Sequence, residues 1–197
     1  MLNKEPLVWL KNGHVNTIFA SEFRKVPYRK YKRERVRTPD QDFIDVDWVS
    51  KKNNKSLIVF THGLEGSSRR GYIQGMINKF SPQGYDCLAW NFRSCSGEIN
   101  RTRKYYHSGI SDELDFVVNY SLDKKDYQSI FLFGFSIGGN VTLKYLGEQG
   151  RKINSLIKKA IVFSVPLDLE ECSNKLSKGF GKVTGYILSA KGESGKN

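Results

Sequence analysis

Four short, uninterrupted apolar runs recur along the 197-residue chain, and segments of helical periodicity lie between them. Runs of this length are typical of strands that are buried on both faces of a parallel sheet. The alternation of such strands with amphipathic helices predicts an α/β fold with a doubly wound, mostly parallel sheet. The apolar runs are residues 57–60, 87–90, 130–133 and 160–163.

The segment before the first run has a different pattern. Ile44, Val46 and Trp48 point to one side of an extended chain, and Asp45 and Asp47 point to the other. This alternation predicts a strand with one face toward the core and the other toward solvent.

The predicted helices carry one apolar face and ordinary end signals. Apolar residues recur at spacings of three and four over residues 73–80, which predicts one buried helix face. Ser111 is placed to cap a second helix, and Asp112 and Glu113 lie in its first turn, at the positive end of the helix dipole.

Residues 134–138 read G-F-S-I-G, directly after the third apolar run and directly before a helical pattern. In this setting the pentapeptide forms a sharp turn that exposes a nucleophilic serine, here Ser136, at the carboxyl end of the sheet. Gly134 and Gly138 permit the tight turn, and Gly139 lets the following helix pack close to the strands. A chance match in a glycine-rich protein is the weaker interpretation, because a strand and a helix flank the motif.

A serine nucleophile of this kind needs donors for the oxyanion that forms on the substrate. The backbone N–H of Ile137 is the expected first donor. The second is expected from the loop after an earlier strand, at residues 62–66, with the N–H of Leu64 as the best candidate and Gly63 beside it.

The three histidines, His14, His62 and His107, all precede Ser136, whereas the acid and base follow the serine in folds with this turn. We expect His62 to shape its loop by hydrogen bonding. His14 and His107 are candidates for structural or pocket-lining residues, and service as the base is the less favoured alternative for each. Asp168 is a candidate acid, but a helix-start role is favoured.

The net charge of +12 is concentrated near the start of the chain. Residues 24–37 hold eight basic side chains against one acid. Together with Tyr28 and Tyr31, this basic segment could bind nucleic acid or anionic lipid as a non-catalytic module. The favoured alternative is a solvated strand pair at the sheet edge, where cations discourage aggregation. We therefore expect no nucleic-acid partner.

The remaining composition predicts one domain over residues 1–197, with a frayed tail at 192–197. The cysteines are odd in number and widely spaced, which indicates neither a disulfide framework nor a metal site and favours a cytoplasmic location. No segment has the length and hydropathy of a signal peptide or membrane anchor. The cysteines are Cys87, Cys95 and Cys172.

Several sequence blocks, in order, resemble the YheT-like or ABHD1/ABHD3-type branch of the α/β-hydrolases, also called hydrolase family 4. This resemblance implies a serine-dependent carboxylic ester hydrolase that uses Ser136, needs no metal or organic cofactor, and acts on acylglycerols, phospholipids or short acyl esters. It also implies that the triad acid, the histidine base and the C-terminal strands lie beyond residue 197, so that the chain is truncated and weakly active. The matching blocks are residues 12–17, 61–68, 91–98, 106–109, 134–139 and 166–169.

Overall fold

The computed structural model describes residues 26–176, and their elements follow the predicted alternation of strands and helices. The helices are Gly71–Phe80 (α1), Ser111–Lys124 (α2), Ile137–Gln149 (α3) and Leu169–Leu176 (α4). The strands are Lys32–Arg37 (β1), Phe43–Val49 (β2), Ser56–Thr61 (β3), Tyr85–Trp90 (β4), Ser129–Phe135 (β5) and Ile157–Phe163 (β6). His14, the matching block at 12–17, the first two cations of the basic segment and the predicted tail at 192–197 lie outside the described residues.

Within the described residues, six strands form one sheet in the order β1-β2-β4-β3-β5-β6. β4, β3, β5 and β6 run parallel, whereas β2 is antiparallel to both of its neighbours. The predicted doubly wound, mostly parallel sheet is confirmed. From β3 the chain winds to β4 on one side and then to β5 on the other. The carboxyl end of β3 is therefore a switch point of the kind where α/β sheets bind ligands.

Successive residues of β3 contribute to two cores, one on each face of the sheet. Leu57 and Val59 join the larger core, which α2 and α3 cover. Ile58 and Phe60 join the smaller core, together with Ile77 of α1. Burying one such side chain contributes about 1.5–3 kcal/mol. An uninterrupted apolar run is what a strand covered on both faces requires, because its side chains alternate between the two cores.

β2 is buried on both faces, so the prediction of a solvent-facing side is wrong. Asp45 and Asp47 are about 2 % and 1 % exposed, and β1 places an arginine opposite each of them. Arg33 Nε and Nη2 donate to Asp47 at 2.8 and 2.7 Å, and Arg35 makes the same bidentate contact with Asp45. Although burial opposes ionisation, these bonds hold the pKa of both carboxyl groups below the usual value. The alternating aspartates of β2 therefore indicate ion pairs with β1 rather than a face exposed to solvent.

β6 lies at one edge of the described sheet and pairs only with β5 there. Ile161 and Phe163 are 43 % and 36 % exposed, so the prediction of a buried strand at residues 160–163 is wrong in its burial and right in its secondary structure. An apolar run indicates a strand, but it does not indicate which elements cover that strand.

Ser111 begins α2 but does not cap it, so the predicted capping role is wrong. No side-chain hydrogen bond caps this helix. The Ser111 hydroxyl donates instead to Glu148 of α3, and the Lys144 ammonium donates to Ser111 Oγ at 3.2 Å. These partners lie more than thirty residues away in the chain, where local end signals carry no information.

Candidate active site

Ser136 lies on the sharp turn between β5 and α3. Its backbone angles, φ 53° and ψ −122°, are in a region that side-chain-bearing residues rarely adopt. The turn is held because the Ser136 N–H donates to the Phe163 carbonyl at 2.9 Å and the Ser136 carbonyl accepts from the Gly139 N–H at 2.8 Å. Strain of this kind persists only where the surrounding structure fixes it, and it clusters at functional sites.

The glycines of the motif allow α3 to approach the sheet closely. A Cβ added to Gly138 would lie 2.4 Å from the His62 carbonyl oxygen, and one on Gly134 would lie 2.6 Å from the Gly138 carbonyl oxygen. A Cβ on Gly139 would lie 2.5 Å from Val165 Cγ2. Real Cβ atoms do not approach so closely, so at Gly134 and Gly138 a side chain would collide with backbone atoms, and at Gly139 it would displace Val165.

The loop after β3 lies directly beside Ser136. A Cβ on Gly63 would be 3.2 Å from Ser136 Cβ, so only a glycine leaves this contact relaxed. Leu64 follows and is 61 % exposed. Within the described residues, no acceptor takes the backbone N–H of Leu64 or of Ile137. The oxyanion role of these two N–H groups stays a prediction.

His62 is a structural residue, as expected. Its Nδ1 donates to the Gly63 carbonyl at 2.7 Å, and its Nε2 accepts from the Phe92 N–H at 3.0 Å, which fixes the neutral tautomer. Complete burial lowers the pKa of His62 to about 4, against a smaller opposing effect of the bond to Gly63. A histidine with both nitrogens occupied cannot take a proton from Ser136.

The other described candidates for the acid and base, His107 and Asp168, make hydrogen bonds to nearby backbone groups. His107 is exposed, and its Nδ1 accepts the Gly109 N–H at 3.1 Å. Asp168 accepts the Glu171 N–H at 2.8 Å at the start of α4, which confirms the helix-start interpretation. Among residues 26–176, no histidine or carboxylate is hydrogen-bonded to the Ser136 hydroxyl.

Two tyrosines that the sequence analysis did not single out also contact the loop after β3. The Gly63 N–H donates to Tyr72 Oη at 3.0 Å. The Glu65 N–H donates to Tyr106 Oη at 3.1 Å, and Tyr106 in turn donates to Glu65 Oε1 at 2.9 Å. Tyr106 lies within a block that matched the resemblance, whereas Tyr72 had no signal beyond its place next to the apolar stripe of α1.

A buried ionic cluster anchors the loop that follows β4. Arg93 is 2 % exposed, and its guanidinium contacts Asp40, Asp42 and Glu113 at 3.0, 3.2 and 2.5 Å. Although burial opposes ionisation, hydrogen bonds led by the Thr102 backbone hold the pKa of Asp42 well below its usual value. These three carboxylates neutralise the charge of Arg93, so this side chain has a structural role.

Within the described part of the basic segment, residues 32–37 form the edge strand β1, so the predicted edge position is right for one strand rather than for a solvated pair. Arg33 and Arg35 are committed to Asp47 and Asp45, and Arg35 also contacts Glu98 at 2.8 Å. These contacts neutralise two cations of the basic segment, and they favour the edge-strand interpretation over a surface that binds nucleic acid or lipid. The lack of a nucleic-acid partner stays a prediction. No helix in residues 26–176 is long and apolar enough to cross a membrane.

The chain is similar in sequence to several known proteins. A family model described as the alpha/beta hydrolase fold matches residues 56–196. YheT of Escherichia coli (strain K12) is 31 % identical over 189 residues, which cover 93 % of this chain and 55 % of that protein. Phospholipase ABHD3 of Homo sapiens is 29 % identical over 181 residues, covering 88 % and 44 %. The chain thus spans about half the length of the curated relatives it matches.

Solved structures show the same fold. The esterase Pf2001 of Pyrococcus furiosus superimposes with a TM-score of 0.67 over 84 % of this chain and 60 % of that one, at 22 % identity. The six-stranded sheet, the turn at Ser136 and the adjoining loop after β3 are therefore set in a fold that recurs among solved proteins.

Proposed function

The chain belongs to the α/β-hydrolase family, and on that premise we propose that Ser136 is the nucleophile of a serine-dependent carboxylic ester hydrolase. The observation that carries this proposal is the strained turn at Ser136, which lies against Gly63 of the loop that bears the free Leu64 N–H. A serine held at the carboxyl end of the sheet, beside unused backbone donors, has the geometry that acyl transfer needs.

In the proposed reaction, Ser136 Oγ attacks the carbonyl carbon of the ester. A bond forms between Oγ and that carbon, and the carbonyl electron pair moves to oxygen, where the N–H groups of Leu64 and Ile137 bind the oxyanion. Collapse of this intermediate expels the alcohol and leaves an acyl group on Ser136, which water then removes. The reaction needs neither a metal nor an organic cofactor.

The proton of the Ser136 hydroxyl must pass to a base as the bond forms. His62 cannot accept it, because both of its nitrogens are occupied. We therefore assign the nucleophile and the oxyanion donors to this chain, and we assign no base within residues 26–176.

The substrate class follows from the relatives. Phospholipase ABHD3 and a yeast monoacylglycerol lipase, 24 % identical over 180 residues, carry names that specify acyl esters of glycerol-based lipids. We propose a small-molecule or lipid acyl ester as the substrate. The odd number and wide spacing of the cysteines, Cys87, Cys95 and Cys172, support a cytoplasmic location.

A fluorophosphonate probe tests the proposed nucleophile. At alkaline pH, where hydroxide can take the proton that no base within residues 26–176 accepts, Ser136 Oγ would displace fluoride from phosphorus, and peptide mass mapping would place the adduct on Ser136. The Ser136→Ala variant should take up no probe, whereas Ser108→Ala, which alters a serine outside the motif, should label like the unaltered chain. An adduct on any other serine, or equal labelling of Ser136→Ala, would contradict the proposal.

A further inference from the structure

The loop after β3 is held from two sides by tyrosine hydroxyls. Tyr72 Oη, at the start of α1, accepts the N–H of Gly63, and Tyr106 Oη, in the loop after β4, accepts the N–H of Glu65. Leu64 lies between these two residues. Its own N–H is the only one of the three that has no acceptor within the described residues.

Both tyrosine rings are themselves fixed by aromatic neighbours. The Tyr72 ring packs against Phe135, which precedes Ser136, at a centroid distance of 4.8 Å. The Tyr106 ring stacks on Phe92 at 4.9 Å with an interplanar angle of 2°. Since aromatic pairs at these distances are favourable, each hydroxyl has a defined position relative to the loop.

The loop requires such support because its backbone is strained. Glu65 has φ 49°, a left-handed conformation that costs free energy in a residue with a side chain. The Gly66 N–H closes a turn onto the Gly63 carbonyl at 3.0 Å. A Cβ on Gly66 would lie 2.9 Å from Tyr72 Oη, so the hydroxyl sits inside this turn.

Tyr72 Oη and Ser136 both lie next to Gly63. The position that a Cβ on Gly63 would occupy is 3.2 Å from Ser136 Cβ and 3.5 Å from Tyr72 Oη. Gly63 therefore lies between Ser136 and the hydroxyl that accepts its N–H, and a movement of the loop at Gly63 would change the distance from Ser136 to the Leu64 N–H.

We propose that Tyr72 and Tyr106 are positioning residues that fix residues 63–65 so that the Leu64 N–H points at the oxyanion formed at Ser136. This inference rests on the proposed function of Ser136. The two tyrosines hold the residues on either side of Leu64, and they act through the backbone rather than on the substrate.

The first test is the rate of fluorophosphonate labelling at Ser136, since the phosphoryl oxygen of the probe takes the place of the substrate oxyanion. Tyr72→Phe and Tyr106→Phe keep the rings and remove the hydroxyls. Loss of an oxyanion donor lowers rates by a factor of about 100–1000, and misplacing one should lower the labelling rate about tenfold. Tyr105→Phe is the matched control, because Tyr105 is 64 % exposed and adjacent to Tyr106. Unchanged rates in both test variants would overturn the inference.

The second test is amide hydrogen exchange, which does not depend on reactivity. Gly63 N–H should exchange about fivefold faster or more in Tyr72→Phe, and Glu65 N–H likewise in Tyr106→Phe, as expected for the loss of one hydrogen bond. The thermal midpoint should fall by about 2–4 °C at most, so that a general loss of structure does not explain the change. Unaltered exchange at both amides would overturn the inference.

The two tests separate the inference from the proposed function. If the unaltered chain takes up no probe at Ser136, the proposed function fails, and amide exchange alone decides whether the tyrosines hold the loop. If the unaltered chain is labelled and the variants are labelled equally fast, the proposed function stands and the positioning role is wrong.

Discussion

His62 joins the loop beside Ser136 to the loop after β4, because one ring nitrogen bonds Gly63 and the other bonds Phe92. Its sequence context, directly after a buried strand, was enough to predict a structural role. The two bonds explain the role physically, since they require the neutral ring. Protonation would put a donor where the Phe92 N–H needs an acceptor.

The folded pKa of His62, about 4, lies below the ordinary value of 6.5. The unfolded chain therefore binds a proton first as the pH falls. The stabilisation from the neutral ring is complete above pH 6.5 and is lost between pH 6.5 and 4, by about 3 kcal/mol in the free energy of unfolding. Urea denaturation at several pH values measures this slope.

Two variants make this prediction specific. His62→Gln should reduce the slope between pH 6.5 and 5, above the range in which carboxyl groups with lowered pKa values, such as Asp45 and Asp47, lose their charge. His107→Gln is the control, because it keeps His62 and should retain the slope. A slope that persists in His62→Gln would show that another group causes it.

Arg35 forms ion pairs with two acids, one buried and one exposed, which allows their contributions to stability to be compared. Asp45 is about 2 % exposed and also accepts from Ser96 Oγ at 2.6 Å, while Glu98 is 55 % exposed. Asp45→Ala should lower the free energy of unfolding by about 1–3 kcal/mol, because the charge-assisted hydrogen bonds that Arg35 and Ser96 donate to this buried carboxylate are lost. Glu98→Ala should change it little, since exposed pairs are screened. Equal losses in chemical denaturation would contradict this account of β1 and β2.

At the scale of elements, the contact of α3 with β3 depends on Gly138. Its missing Cβ would lie 2.4 Å from the His62 carbonyl, whereas Gly147 of the same helix has open space around it. Gly138→Ala should destabilise the protein by about 3 kcal/mol or prevent folding. Gly147→Ala should be neutral or stabilising, by up to about 1 kcal/mol, because alanine favours helix.

This pair isolates packing from helix propensity, because both substitutions make the same chemical change in α3. Denaturation curves of the two variants measure the difference. A Gly138→Ala protein as stable as Gly147→Ala would contradict the close approach of α3 to the sheet.

The sequence was sufficient to predict the type and order of these elements, but it did not show which other elements pack against each of them. Four apolar runs predicted four strands, and all four are present in the described structure. The buried Asp45 is paired with an arginine ten residues away, and the Ser111 hydroxyl finds its acceptor in α3. Such partners meet only after the sheet has formed, so local periodicity could not predict them.

At the scale of the whole molecule, the candidate site lies at the carboxyl end of β3, where the sheet order reverses. The sharp turn at residues 134–138 and the loop at residues 62–66 could be predicted because each follows from a local pattern. Tyr72 and Tyr106 could not, since they reach the loop across 9 and 41 residues of chain. Turnover of a short p-nitrophenyl ester by the 197-residue chain should be slow, because no base contacts Ser136 within residues 26–176 and the nucleophile and oxyanion donors alone give modest catalysis.

The central claim is that Ser136 accepts an acyl group. The most direct measurement is peptide mass mapping after exposure to p-nitrophenyl acetate, with Ser136→Ala treated in parallel, because lysines also acetylate slowly. We expect one acetyl group on Ser136 and an otherwise identical pattern in the variant. After prolonged exposure at alkaline pH, where hydroxide can take the serine proton, acetylation of the Ser136 peptide no greater than that of other serine-bearing peptides would contradict the assignment of Ser136 as the nucleophile.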